Sequence, residues 1–247
     1  MTADRWTQVV RHQLGLGRLL PLGLPRDGAW IMEGAADSVL RRAADPVRGV
    51  RLGALRIALA DPDQAYDPAV PPPPSALPPG PLRISAEFTA SADPTAPGID
   101  PLPTTAARLR LALATAATER LGLKVTEVDL RVTGLLEEEE AAAAVRPTAV
   151  RPAAEPTDPD EAQAATAALS VPGVTHLTDI LGRPVHISDT PGEEPALPRR
   201  HVRIELAVAA EERAVDVARS VRAAITESLK DKPSVAVLVT AVHDSAP

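Results

Sequence analysis

The chain has 247 residues, 45% of them hydrophobic, with a formal charge of −7 and no cysteine. This length holds one or two domains with real cores; the acidic balance argues against a broad nucleic-acid surface, and the missing thiols exclude disulfides, thiol catalysis and thiolate-bound metals. Only two Trp, one Tyr and one Phe are present, so cores are aliphatic and an aromatic-lined ligand pocket is disfavoured.

Residues 1–27 read as a leader segment. MTADRWTQVVRHQLGLGRLL lacks the long apolar run of a secretory signal, and no stretch of the chain reaches the ~20 apolar residues of a membrane-spanning helix. A cytoplasmic location follows as the expectation. The glycines of Gln13–Gly23 lack phosphate-loop spacing. As an amphipathic helix, Trp6, Val9, Val10 and Leu14 form one face, with Leu16, Leu19 and Leu20 after it. That face is expected to pack on the unit that follows; docking to a partner or a membrane surface is the other reading, although a surface helix is normally more basic.

Residues 28–136 read as a first α/β unit, interrupted by a stiff, extended, Pro-rich insertion at 61–81. An Ala-rich helical stretch leads into Val47–Val50 (VRGV), a strand from Gly53, and an alternating strand Leu82–Phe88. Then Leu109, Leu113, Ala117 and Leu121 recur at i+4, the stripe of a helix lying on a sheet. Thr104 and Thr105 are its expected N-caps. A last strand carries Val128, Leu130 and Val132.

Residues 137–160 read as an acidic, Pro/Ala-rich linker, although its EEEEAAAA run could prolong a short helix. Residues 161–247 then repeat the first order. Val171–Val174 (VPGV) matches VRGV, the run from Gly182 matches that from Gly53, and Val202–Val208 matches Leu82–Phe88, with a Pro/Gly/Glu-rich loop at 188–198 between. The stripe Val217, Val221, Ile225 and Leu229 matches the first helix, and Val235, Val237 and Val239 the last strand. Even the endings agree, VTGL against VTAV. The expected fold class is α+β: two tandem α-β-β-α-β units, each a three-stranded sheet with helices packed on it.

The second unit resembles the alkaline-shock, or envelope stress response, protein family on Val171–Val174, Val202–Val208, Val217–Arg222 and Val235–Val242. The resemblance spans about 80 residues. The first unit fits loosely, with Arg48 where the second has Pro172, and the Pro-rich insertion has no family counterpart. What the resemblance implies is a non-enzymatic cytoplasmic protein, peripheral to the membrane through protein partners: single-module relatives, small membrane anchors or further copies of itself. The Arg-, Ala- and Pro-rich usage suggests a GC-rich, actinobacterial-type genome.

No catalytic, cofactor-binding or metal-binding residue is assigned, and no cofactor is implied. His12, His176, His186, His201 and His243 make no metal motif, and His186 is expected to face solvent or a sheet edge. No GxSxG element occurs. Glu137–Glu140 reads as a solvated charge run, and Glu211 and Glu212 as acids at the start of a helix. Arg213, Arg219 and Arg222 fall off the apolar stripe and read as a solvated face, or as contacts to an acidic partner. Scaffolding by protein association is the expected function. A regulatory protein binding a small ligand between its two units stays open beside it; nucleic-acid binding is disfavoured, since the strands offer only Phe88 for stacking.

Overall fold

The computed structural model of the protein describes residues 17–91, 100–136, 153, 156–190 and 199–244. In chain order, β1 (Leu19–Pro21) and β2 (Ala29–Met32) precede α1 (Glu33–Ala44), β3 (Val50–Leu59) and β4 (Leu82–Ser91). Helix α2 (Leu102–Thr115) continues as a π-helical turn (Ala116–Leu121) into β5 (Val125–Leu136). There follow α3 (Pro159–Leu169), β6 (Val174–Leu177), β7 (Val185–Thr190), β8 (Arg199–Ala209), α4 (Ala214–Ser228) and β9 (Ser234–His243). Helices and mixed sheets together make the fold α+β.

Strands β3, β4 and β5 form one sheet, in which β4 pairs antiparallel with β3 and parallel with β5. In the other sheet β8 pairs antiparallel with β6 and β7 and parallel with β9. This second sheet has six strands where three were expected, because β1 and β2 extend it beyond β9 and the residues after the Val171–Val174 turn add β6 beside β8. The cause lies in β9, whose run Val235–Val239 is buried on both faces. A strand of that kind belongs in a sheet interior and needs a partner on each side. Residues Ala29, Trp30 and Ile31 supply one, in parallel register with Val237, Leu238 and Val239. Leu19 and Leu20 are therefore buried strand residues and not the end of an amphipathic helix; Trp6, Val9, Val10, Leu14 and Leu16 lie outside the described residues.

The two sheets share local irregularities as well as strand order. Thr133 is an extra residue between the pairs Phe88–Val132 and Thr89–Gly134, and Thr240 between Leu206–Val239 and Ala207–Ala241. Each threonine hydroxyl donates to the facing strand, to the Phe88 carbonyl at 3.4 Å and the Leu206 carbonyl at 3.1 Å. Gly49 and Gly173, both at positive φ, accept at their carbonyls from Ser91 and Ala209. The stripes on α2 and α4 are buried at all eight positions.

Several segments differ from expectation. Helix α2 begins at Leu102, before the threonines, because Pro103 is tolerated in a first turn; Thr105 is buried and donates to the Asp100 carbonyl instead. Helix α3 starts inside the expected linker, where Asp158 caps the amides of Asp160 and Glu161 ahead of Pro159. The Glu137–Glu140 run lies outside the described residues. The Pro-rich insertion is no free spacer: Val70 is buried, Leu77 N donates to the Leu19 carbonyl, and the Trp30 indole donates to the Leu77 carbonyl. Its extended backbone offers unpaired groups, which the short edge strand β1 and the indole satisfy.

The seam between the two halves is held by residues expected to be solvated. Arg219 makes a two-point contact with the buried Asp27 carboxylate, at 3.1 and 2.8 Å. Arg222 donates to the Arg26 carbonyl, and Arg213 to the Thr118 carbonyl at the end of the α2 turn. Of the three, Arg219 alone meets an acid of the other half; Arg213 and Arg222 meet backbone carbonyls there. Burial alone would raise the Asp27 pKa, but the Arg219 contact, the Leu24 N–H and the nearby Arg26 charge outweigh it and hold it below the usual range. Glu211 and Glu212 sit in the turn before α4, whose first-turn acid is Asp216.

Candidate functional site

Two places in the fold concentrate polar groups. The first lies on the face of β8 turned away from α4. Alternation along β8 puts Val202, Ile204 and Leu206 on one face and Arg203 and Glu205 on the other. A half-buried strand would leave the second set in water, yet Glu205 is 0% exposed. The connection from β6 to β7 folds over it: Thr178 N donates to the Glu205 carbonyl, Glu205 N to the Pro184 carbonyl, and Leu181 N to Glu205 Oε2 at 2.9 Å. Desolvation pushes the Glu205 pKa up to about 7, against the opposing Leu181 N–H and Arg203 charge.

Arg203 lies 3.7 Å from the other Glu205 oxygen, and the Thr178 and Thr240 hydroxyls meet at 2.8 Å beneath the loop. At the end of the same sheet His176 and His243 bring their rings to 5.3 Å, although 67 residues separate them in sequence. His201 is buried, bonded to the Ser234 hydroxyl at 2.9 Å, and burial and the Arg203 charge lower its pKa. His186 is half-buried on β7, opposite Arg203, and His12 lies outside the described residues. Among the described residues no three His, Asp or Glu side chains gather as a metal site. The Glu205 carboxyl holds a backbone amide of the covering loop, so its visible work is to shape that loop.

The second place is the face of the β3-β4-β5 sheet turned away from α2. Ile84, Ala86 and Phe88 point to the core, and Arg83, Ser85 and Glu87 point outward. Outward residues pair across strands: Arg83 with Glu127 and, at 3.5 Å, with Asp129; Arg131 with Glu87. Arg51 and Arg56 of β3 stand opposite Thr89 and Ser85. Such exposed pairs contribute little to stability, about 0–1 kcal/mol each. They do give the face a fixed pattern of alternating charge, which is what a complementary surface reads.

The edges of this sheet are unequal. On β3, Ile57 N donates to Glu33 Oε1 at 3.1 Å while its carbonyl accepts from Arg18 at 2.8 Å, and Arg41 donates to the Leu52 and Gly53 carbonyls. That edge is occupied by side chains. On β5 one described contact reaches the open side, Arg110 Nε to the Val128 carbonyl at 3.1 Å. Val132 and Leu135 of this strand are 41% and 63% exposed.

A third feature is a shallow depression lined by Asp158, Asp160, Glu161, Ser188, Asp189 and Arg200. Arg200 bridges Asp160 at 2.8 Å and Asp231 at 3.3 Å, so its charge is spent inside the cluster. No helix among the described residues is long and apolar enough to cross a membrane. No protein-family model matches the chain, and no curated protein matches its sequence. The buried glutamate and the unequal edges were not legible from periodicity, which assigns faces but not what covers them. Glu205 between the apolar residues Ile204 and Leu206 was the available signal.

Proposed function

We propose that this protein is a scaffold or adaptor that works by protein–protein association, and that its two halves are diverged copies of one α-β-β-α-β unit related to the alkaline-shock, envelope stress response family. The open, charge-patterned face and free edge of the β3-β4-β5 sheet carry the reading. In the other sheet β2 pairs with β9 on its far side, the β6–β7 connection crosses β8 at Glu205, and the Pro-rich segment meets β2 at Trp30. Support for duplication comes from the matched strand order, the matched threonine bulges and the matched glycine carbonyl contacts. Chance convergence of folding rules explains a shared βαβ hand; it does not explain the same extra threonine at the same place. A cytoplasmic protein reaching the membrane through partners belongs to the same proposal.

The seam gives the small-ligand reading no comparable support, since Gly23 and Gly122 let the backbone press against Val215 there. The test is retrieval of the tagged full chain from its native cells, beside a variant with Arg83→Glu and Arg56→Glu on the open face. A stoichiometric partner held by the unmodified chain and lost from the variant is the expected result. A chain that returns alone, but gains thermal stability with a metabolite, would replace this reading with ligand binding.

A further inference from the structure

Resting on that association reading, we infer that the β5 edge, which no strand among the described residues pairs with, is a pairing surface for a second copy of this chain, joined antiparallel about Leu130. The backbone parity sets the geometry. The Val128 carbonyl faces the open side, since it accepts from Arg110 there. Alternation then aims the N–H and C=O groups of Val128, Leu130 and Val132 outward together. The matching strand β9 behaves this way: Val237 N donates outward to the carbonyl of Gly28, just before β2. An antiparallel pair needs outward-facing residues opposite one another. A two-fold axis at Leu130 meets this need, setting Leu130 against its copy and Val128 against Val132 of the second copy.

The side chains fit the same register. On the α2 side, Val128, Leu130 and the exposed Val132 are set against apolar residues of the second copy, and the Arg110 side chain gives up the Val128 carbonyl to the incoming strand. On the open face, Asp129 stands opposite Arg131 of the second copy, twice by symmetry; both are well exposed, at 64% and 74% of their side chains. Opposite charges directly across strands stabilise a pair and like charges oppose it. A long open edge with an exposed valine is a template for pairing unless something blunts it. A self-complementary strand closes on itself as an isologous dimer and leaves no growing edge, because β3 at the far end is occupied by Glu33, Arg18 and Arg41.

Sedimentation of the full chain tests this with charge reversals. The unmodified chain is expected to dimerise. Asp129→Arg alone and Arg131→Glu alone each set like charges across the axis and should give folded monomers by circular dichroism. An equimolar mixture of these two variants restores opposite charges at both positions and should recover dimer. Leu130→Cys supplies a second measurement that needs no charge change: it is the sole thiol in a cysteine-free chain. Its Cα atoms would lie about 5.5 Å apart across the axis, within disulfide range. Mild oxidation should give a covalent dimer. An unmodified chain that stays monomeric, or dimers that ignore both charge reversals, would overturn the β5 interface. A monomer that still holds a different protein through the open face overturns the dimer and leaves the association reading standing.

Discussion

Glu205 shows how a strand residue acquires a property its neighbours in sequence do not announce. Its carboxyl is enclosed by the β6–β7 connection, with Leu181 N as a donor and Arg203 too distant for a hydrogen bond. Desolvation therefore dominates and raises its pKa from 4.5 to about 7. Below pH ~4.5 the carboxyl is protonated in both the folded and the unfolded chain. Between there and about pH 7 the unfolded chain releases its proton and the folded chain keeps it, so stability falls as pH rises. The difference amounts to about 3 kcal/mol at full extent. Urea unfolding at ~pH 5 and ~pH 8 should show a fall that is smaller in Glu205→Gln, where no proton is exchanged. Equal pH dependence in the two proteins would mean Glu205 is ionised in the fold. His201, whose pKa is lowered by burial and the Arg203 charge, works in the opposite direction and is common to both proteins.

At the scale of elements, helix stripes decide which faces are buried and arginines decide how elements meet. The α4 stripe of Val217, Val221, Ile225 and Leu229 is enclosed against β9 and α3. Val221→Asp would place a carboxylate there with no partner, at a cost of at least about 3 kcal/mol. Set against a typical total of ~5–15 kcal/mol, this should abolish or cripple the fold, seen as loss of a cooperative thermal transition. Retention of the normal transition would show that α4 is not packed as described. Away from the stripe, Arg213, Arg219 and Arg222 stay partly exposed to water and also bond polar groups of the first half. Periodicity places them correctly off the stripe, but it has no means of distinguishing water from Asp27, which lies 192 residues away from Arg219.

At the scale of the whole molecule, the halves are joined by a close approach that only glycine permits. Gly122, with φ of +87°, ends the π-helical turn and lies so near Val215 that a Cβ would overlap its side chain. Gly23 meets Val215 in the same way and donates its N–H to the Gly122 carbonyl. Gly122→Ala should destabilise by more than about 1 kcal/mol, from backbone strain and overpacking together. A Val215→Gly background removes both the Cβ and the Cγ atoms that the new methyl would overlap, so the two changes should couple by about 1 kcal/mol in a double-mutant cycle by denaturant. Additive effects would mean the seam opens without cost.

The α+β class, the buried stripes of α2 and α4, and the apolar faces of β4 and β8 were all legible along the chain. Each follows from local alternation or i+4 spacing, which a sequence displays directly. The threonine bulges were visible as the matched VTGL and VTAV endings, though not as bulges. Three decisions belonged to tertiary structure. Residues 19–32 joined the sheet of the second half because β9 is apolar on both faces and lacked a second neighbour. Glu205 was enclosed because a loop folds across its strand, and the seam arginines were satisfied by groups remote in the chain. The candidate surface itself arises by contrast: β9 is paired with β2 on its far side, whereas β5 pairs with no second strand among the described residues. Periodicity states which side of a residue prefers water; what covers that side depends on contacts between distant segments, and local spacing does not encode them.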